Sequence, residues 1–181
     1  MPIDPMPDRA QFDRTQHFEQ IVWPHLAAAY SFARWMVRNT EDAEDIVQES
    51  FVKAFRSAET FRGLNIRPWL FAIVRNNAIN FLNRNKSTFV ELDKEICEPV
   101  DPHPNPENSL VQQQRRNAVR SAISRLPMEF REALLLREME DMTYKEIAFV
   151  LTVPIGTVMS RISRARQLLV EELIAEKEVR P

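Results

Sequence analysis

The chain has 181 residues, 44% of them hydrophobic, with two glycines (Gly63, Gly156) and one cysteine, Cys97. The length allows one domain or two small ones. Scarce glycine and little β-branched alternation predict helices nearly throughout, and no apolar run approaches the roughly 20 residues of a membrane helix. A lone cysteine excludes an intramolecular disulfide and a cysteine-built metal site, and the net charge of −2 conceals segments of opposite sign.

Residues 1–15 read as a loose leader, rich in proline and charge. Asp4, Asp8 and Asp13 break the basic-then-apolar order of a signal peptide, so a cytoplasmic protein is expected. The first helical domain is expected over 16–88. Pro24 suits the first turn of a helix carrying Leu26, Tyr30, Ala33 and Val37 on one face. Thr40 is the expected N-cap of the next helix, whose first turn is acidic, as the helix dipole favours. That helix turns Ala43, Val47, Ser50, Phe51 and Ala54 inward and Asp42, Asp45, Gln48 and Glu49 outward. Between Arg38 and Lys53 it carries five acids and no base.

The charge then reverses. Thr60 to Val90 holds Arg62, Arg67, Arg75, Arg84 and Lys86 and no acid. Residues 61–67 read as a loop punctuated by Gly63 and Pro68. From Pro68 a helix is predicted to about Lys86, burying Leu70, Val74, Ala78 and Phe81. Asn76, Asn80 and Asn83 form a stripe on another face. It is either a solvated surface or a set of paired donors and acceptors for bases, with Phe61, Trp69 and Phe71 as nearby stacking groups or core.

Residues 87–114 carry one base and six acids, a net −5, with Pro99, Pro102, Pro104 and Pro106 in close succession. Such a segment does not fold alone, and a linker is expected over 89–112. Cys97 lies in it, where neighbouring acids disfavour a reactive thiolate.

The second domain, expected over 113–176, opens with a helix through Ala118, Ala122 and Leu126 that stops at Pro127. The next helix carries Phe130, Ala133, Leu134 and Arg137. Thr143 to Glu146 is a capping-box pattern before a short helix with Ile147, Ala148, Val150 and Leu151. A turn over Thr152–Gly156 leads to a last helix, with Val158, Ile162, Ala165 and Leu169 inward. Thr157, Ser160, Arg161 and Arg164 lie opposite that inward stripe, where the first turns of a recognition helix reach base edges and backbone, and Arg166 is borne on the same helix. No acid stands between Glu146 and Glu171, so no i, i+4 partner neutralises these arginines. Duplex DNA binding is expected. No catalytic constellation, phosphate loop or cofactor motif is visible, and His17, His25 and His103 are scattered.

Four ordered stretches carry a resemblance: Glu41 to Phe51, Phe61-Arg62-Gly63, Pro68-Trp69-Leu70-Phe71-Ala72-Ile73, and Val153 to Arg166. Together they resemble bacterial RNA polymerase sigma factors of the extracytoplasmic-function group. The resemblance implies an all-α chain of two small helical domains, the second a helix-turn-helix, with no enzymatic activity and no cofactor. It implies docking on a coiled coil of core RNA polymerase through Asp42, Asp45, Gln48 and Glu49. Capture of the melted minus-ten strand is implied for Phe61, Arg62, Arg67, Trp69, Asn76 and Asn80. Reading of the minus-thirty-five duplex is implied for Thr157, Ser160, Arg161, Arg164 and Arg166. The linker is implied to thread toward the RNA exit path, and an anti-sigma factor is the implied regulatory partner. Met159, Ser163 and Thr152 depart from the family pattern, as does Asn83-Arg84-Asn85-Lys86. The competing reading is a free-standing regulator using the same helix-turn-helix without polymerase. It has no need for an acidic docking helix beside a basic single-strand surface.

Overall fold

The computed structural model describes residues 18–37, 39–58, 61, 65–85 and 110–179, and all of the regular structure there is helical. The leader, Arg62, Gly63, most of the acidic linker and Cys97 lie outside the described residues.

Helical residues 18–22 run into a 3-10 turn, Trp23–His25, which leads straight into α1, Leu26–Val37. Pro24 occupies the start of that turn, where no N–H is required. Helix α2 spans Thr40–Ser57 and is capped by Asn39, whose extended backbone lets its side chain accept from the Glu41 amide at 3.0 Å. The predicted cap, Thr40, is thus the first helical residue. Asparagine one place earlier reaches the free amides of the first turn, which moves the boundary by one. Helix α3 spans Ile66–Arg84, with Asn65 accepting from the Arg67 amide at 3.1 Å, so it starts two residues before the expected Pro68. Pro68 is tolerated there because first-turn amides have no partner within the helix.

These helices bury one another as an α1–α2–α3 cluster. Phe71, considered above as a stacking group, is fully buried, with its ring 5.5 Å from that of Phe32. Phe81, expected inside, is only half-buried. Ser50 and Asn77 are buried polar groups that satisfy each other. Asn77 Nδ2 donates to Ser50 Oγ at 2.8 Å, Ser50 Oγ donates to the Ile46 carbonyl at 2.6 Å, and Lys53 Nζ donates to Asn77 Oδ1. This network fixes α2 against α3.

The second unit has four helices: α4 Leu110–Arg125, α5 Met128–Glu138, α6 Tyr144–Leu151 and α7 Ile155–Val179. Helix α4 begins inside the stretch read as linker, because Leu110 to Gln114 lacks the prolines that precede it. The capping box is complete, with Thr143 and Glu146 satisfying each other's amides at 3.3 and 2.8 Å. Helices α6 and α7 meet at 98°, in the range of a helix-turn-helix. Buried Val158, Ile162 and Ala165 set the inner face of α7, and Leu169 is half-buried.

Thr152 closes α6 at φ 56°, ψ 46°, a left-handed conformation. Its amide reaches Phe149 O at 3.3 Å and that of Val153 reaches Ala148 O at 3.1 Å, which is a Schellman cap. A β-branched side chain in this region costs about 1–2 kcal/mol. Thr152 is exposed, so little packing opposes its loss. Thr152→Gly is expected to raise stability by about 1 kcal/mol in thermal or urea unfolding.

The two units are packed together. One hydrophobic cluster runs from Phe32, Met36 and Phe71 to Leu136, Met142, Ile147 and Ile162, and α3 lies along α6. Arg131 of α5 donates to the Trp35 carbonyl near the end of α1 at 3.0 Å. No single helix among the described residues is long and apolar enough to cross a membrane.

Candidate nucleic-acid interface

Helix α2 presents its charge on one side. Asp45, Gln48 and Glu49 are exposed and Asp42 is half-buried, while Ala43, Ile46, Val47, Ser50 and Ala54 are buried behind them. Burial first, then repulsion from Asp45 and Glu41, raises the Asp42 carboxyl above its ordinary value, against a hydrogen bond from Asn39. A carboxyl raised in the folded state opposes folding while ionised, and the opposition disappears as pH falls through its folded pKa. Asp42→Asn is therefore expected to add a few tenths of a kcal/mol of stability at neutral pH. The gain should shrink as urea titrations are repeated toward the carboxylate range.

Further along the same helix the outward face turns apolar. Val52 and Phe55 are exposed and, with Phe18, Val22, Trp23 and Phe51, line a groove of about 330 Å³. Sequence reasoning missed this groove, although Val52 and Phe55 continue the Gln48 stripe at i+4 and i+7 and carried the signal.

On α3, Asn76 and Asn80 are exposed side by side one turn apart, and Asn83 continues the stripe. Phe61 and Trp69 are half-buried and stacked on each other, with ring centroids 4.8 Å apart. Arg67 is not turned out to solvent. Its guanidinium pairs with Glu140 of the second unit at 2.5 Å and lies 5.8 Å from the Phe71 ring centroid. Arg75 makes a two-pronged contact with Glu132 at 2.7 and 3.0 Å.

On α7, Ser160 and Arg164 are exposed, and Thr157 is half-buried. The expectation that the α7 arginines lack counter-charges fails for two of them. Arg161 lies 3.3 Å from Glu129 and 3.5 Å from Glu132, and Arg166 pairs with Glu138 at 2.6 Å. These acids come from α5, packed alongside, and an i, i+4 search within one helix does not reach them. The Glu138 hydrogen bond raises the Arg166 pKa further, fixing its charge. Arg164 instead touches Gln167 at 3.3 Å. Thus Asp45, Gln48 and Glu49 share one open face and Asn76 and Asn80 another. Ser160 and Arg164 share a third, while Arg67 and Arg161 are drawn to the seam between the units. Among the described residues no group of histidines, cysteines and acids could hold a metal.

Comparison with known proteins agrees with this layout. Residues 21–88 match the model for sigma-70 region 2, and residues 116–169 match that for sigma-70 region 4. The ECF RNA polymerase sigma-E factor of Haemophilus influenzae is 35% identical over 179 residues, covering 90% of this chain and 93% of that protein. The sigma-E factor of Escherichia coli is 38% identical over 137 residues, 71% of this chain and 72% of that one. Among solved structures, the sigma factor RpoE from Bartonella quintana, in complex with the anti-sigma factor NepR, superposes with a TM-score of 0.71. It is 31% identical and covers 87% of this chain and 97% of its own. CnrH, in complex with the cytosolic domain of CnrY, gives a TM-score of 0.64 at 27% identity, covering 89% and 90%. With both sigma-70 regions in order and a 35% identical relative matched over 93% of its length, the chain belongs to the extracytoplasmic-function group of RNA polymerase sigma factors, a family of initiation factors and not of enzymes.

Proposed function

We propose that this chain binds core RNA polymerase in the cytoplasm and directs initiation at specific promoters. The first unit engages the melted minus-ten element and the second reads the minus-thirty-five duplex. The observation that carries this reading is the division of the first unit into two open faces. An acidic one on α2 (Asp45, Gln48, Glu49) and a polar one on α3 (Asn76, Asn80) are held rigidly together by the Ser50–Asn77–Lys53 network. An acidic face suits a basic protein surface, and unpaired bases suit amide side chains beside Trp69 and Phe61. Arg62 belongs to the same loop in sequence and takes the same proposed role.

On the second unit, Thr157, Ser160, Arg161, Arg164 and Arg166 take the duplex, with Ser160, Arg164 and Arg166 exposed. Two solved relatives are described in complex with an anti-sigma factor or with a cytosolic partner domain, and an anti-sigma protein is the proposed negative regulator here. The reading is tested by mixing the purified chain with sigma-free core polymerase. Co-elution on gel filtration is expected. Failure to associate, with duplex binding retained, would return the chain to the class of free-standing regulators.

A further inference from the structure

The first two turns of α7 carry an exposed apolar pair within a polar surface. Ile155 is 38% exposed and Met159 is 50% exposed, one turn apart on the same side of the helix. Val158, Ile162 and Ala165 seal the buried side of α7, so the helix is seated without Met159. Beside the pair run Gly156, Ser160 and Arg164, all exposed. A Cβ placed on Gly156 would meet nothing within 4 Å, so the space in front of this turn is open. Ser160 Oγ donates to the Thr157 carbonyl at 3.0 Å, and Arg164 touches the neutral Gln167 at 3.3 Å. No acid stands between Glu146 and Glu171, so these turns present a polyanion with no repelling carboxylate of their own.

We propose that Met159, flanked by Ile155, is a specificity-determining residue that selects thymine in the promoter duplex by packing against its methyl group. This rests on the minus-thirty-five reading of the second unit and goes beyond it by naming a base. In the major groove every base pair shows donors and acceptors, and thymine alone adds a methyl. Ser160 and Arg164 meet base edges or phosphates but gain nothing from that methyl. The Met159 thioether does: it is apolar, polarisable and unbranched, with enough rotatable bonds to settle on a small apolar group. Its place suits the role, because the first turns of a recognition helix are the ones that contact base edges. Gly156, having no side chain, lets those turns come close, and Ile155 shields the contact from water. Val170 and Ile174 form a similar exposed pair further along α7, but they are interleaved with Glu171 and Glu172, which a DNA backbone repels.

The test uses the full chain assembled with core polymerase. The preferred minus-thirty-five segment is selected from promoters randomised there, and each selected thymine is then replaced by uracil, which removes the methyl and nothing else. Promoter binding is titrated at fixed salt. The wild-type holoenzyme is expected to bind about three- to tenfold more weakly when one or two of these thymines are replaced. Met159→Ala is expected to lose a similar factor on the thymine promoter and to be indifferent to uracil at the same position, so that the two losses do not add. Met159 is half exposed, so the variant is expected to fold and to join core polymerase as the wild type does, checked by circular dichroism and co-elution. Equal sensitivity to uracil in wild type and variant overturns the assignment. So does a selected segment that lacks thymine, or one in which uracil has no effect. The two readings fail separately: a shared segment with no methyl effect that depends on Met159 refutes the thymine contact alone, whereas selection of no shared segment refutes the minus-thirty-five reading beneath it.

Discussion

Reversing Asp45 and Glu49 together to lysine is expected to weaken association with core RNA polymerase by about ten- to a hundredfold while leaving the helical content intact. Both side chains are exposed on α2, and neither contributes to the core behind it. Glu49 does hold Lys53 at 2.7 Å, and the hydrogen bond from Lys53 keeps its carboxyl below the ordinary value against the smaller, opposing effect of burial. Both partners are nearly half exposed, however, and pairs of that kind contribute little to folding because water and salt screen them. A loss of association accompanied by normal thermal unfolding therefore reports on docking. The readout is a titration of the labelled variant with core enzyme. Wild-type affinity would remove the acidic face from the account.

Arg164→Ala is expected to behave in the opposite way, with core association untouched and binding of duplex promoter DNA reduced about five- to a hundredfold. Arg164 is the cleanest probe on α7 because it is exposed and its nearest recorded partner is the neutral Gln167. Arg161 and Arg166 already hold carboxylates of α5, so removing either would disturb Glu132 or Glu138 as well. If Arg164 meets a phosphate, the slope of log affinity against log salt should flatten by about one unit. If it meets a base edge, the loss should be confined to some sequences. Equal loss of duplex binding and core association would mean that the variant is misfolded or the surface wrongly placed.

The parts of the fold governed by neighbours in sequence were legible before the structure. The Thr143–Glu146 capping box, the inward stripe of α7 and the outward acids of α2 depend on 3.6-residue periodicity and on the needs of helix ends, and all three appear where that reasoning puts them. Near neighbours mislead where two candidates compete, as when Asn39 takes the cap ahead of Thr40. Thr152 stands out in the sequence as an unusual turn residue, but its left-handed backbone is imposed by the Schellman cap that ends α6.

What the sequence did not reveal is tertiary. Phe71 lies two residues from Trp69 in an aromatic run, yet one ring is sealed against Phe32 and the other stacks half-exposed on Phe61, a distinction set by how α3 sits on α1. Nothing in the sequence sets Asn77 apart from the exposed asparagines beside it, although it is the asparagine that ties α3 to α2. The largest gap concerns charge. A proline-rich acidic linker made two separated domains the natural expectation, and nothing local in Arg75 or Arg161 indicates that both would converge on Glu132.

If this chain gives core polymerase its promoter choice, the start sites of core enzyme must depend on it. Sigma-free core enzyme is supplied with the purified chain and a pool of genomic promoter fragments, and transcript starts are mapped. Transcripts are expected at a discrete set of sites sharing elements near minus ten and minus thirty-five, absent with core alone. Starts indistinguishable from those of core alone would contradict that dependence.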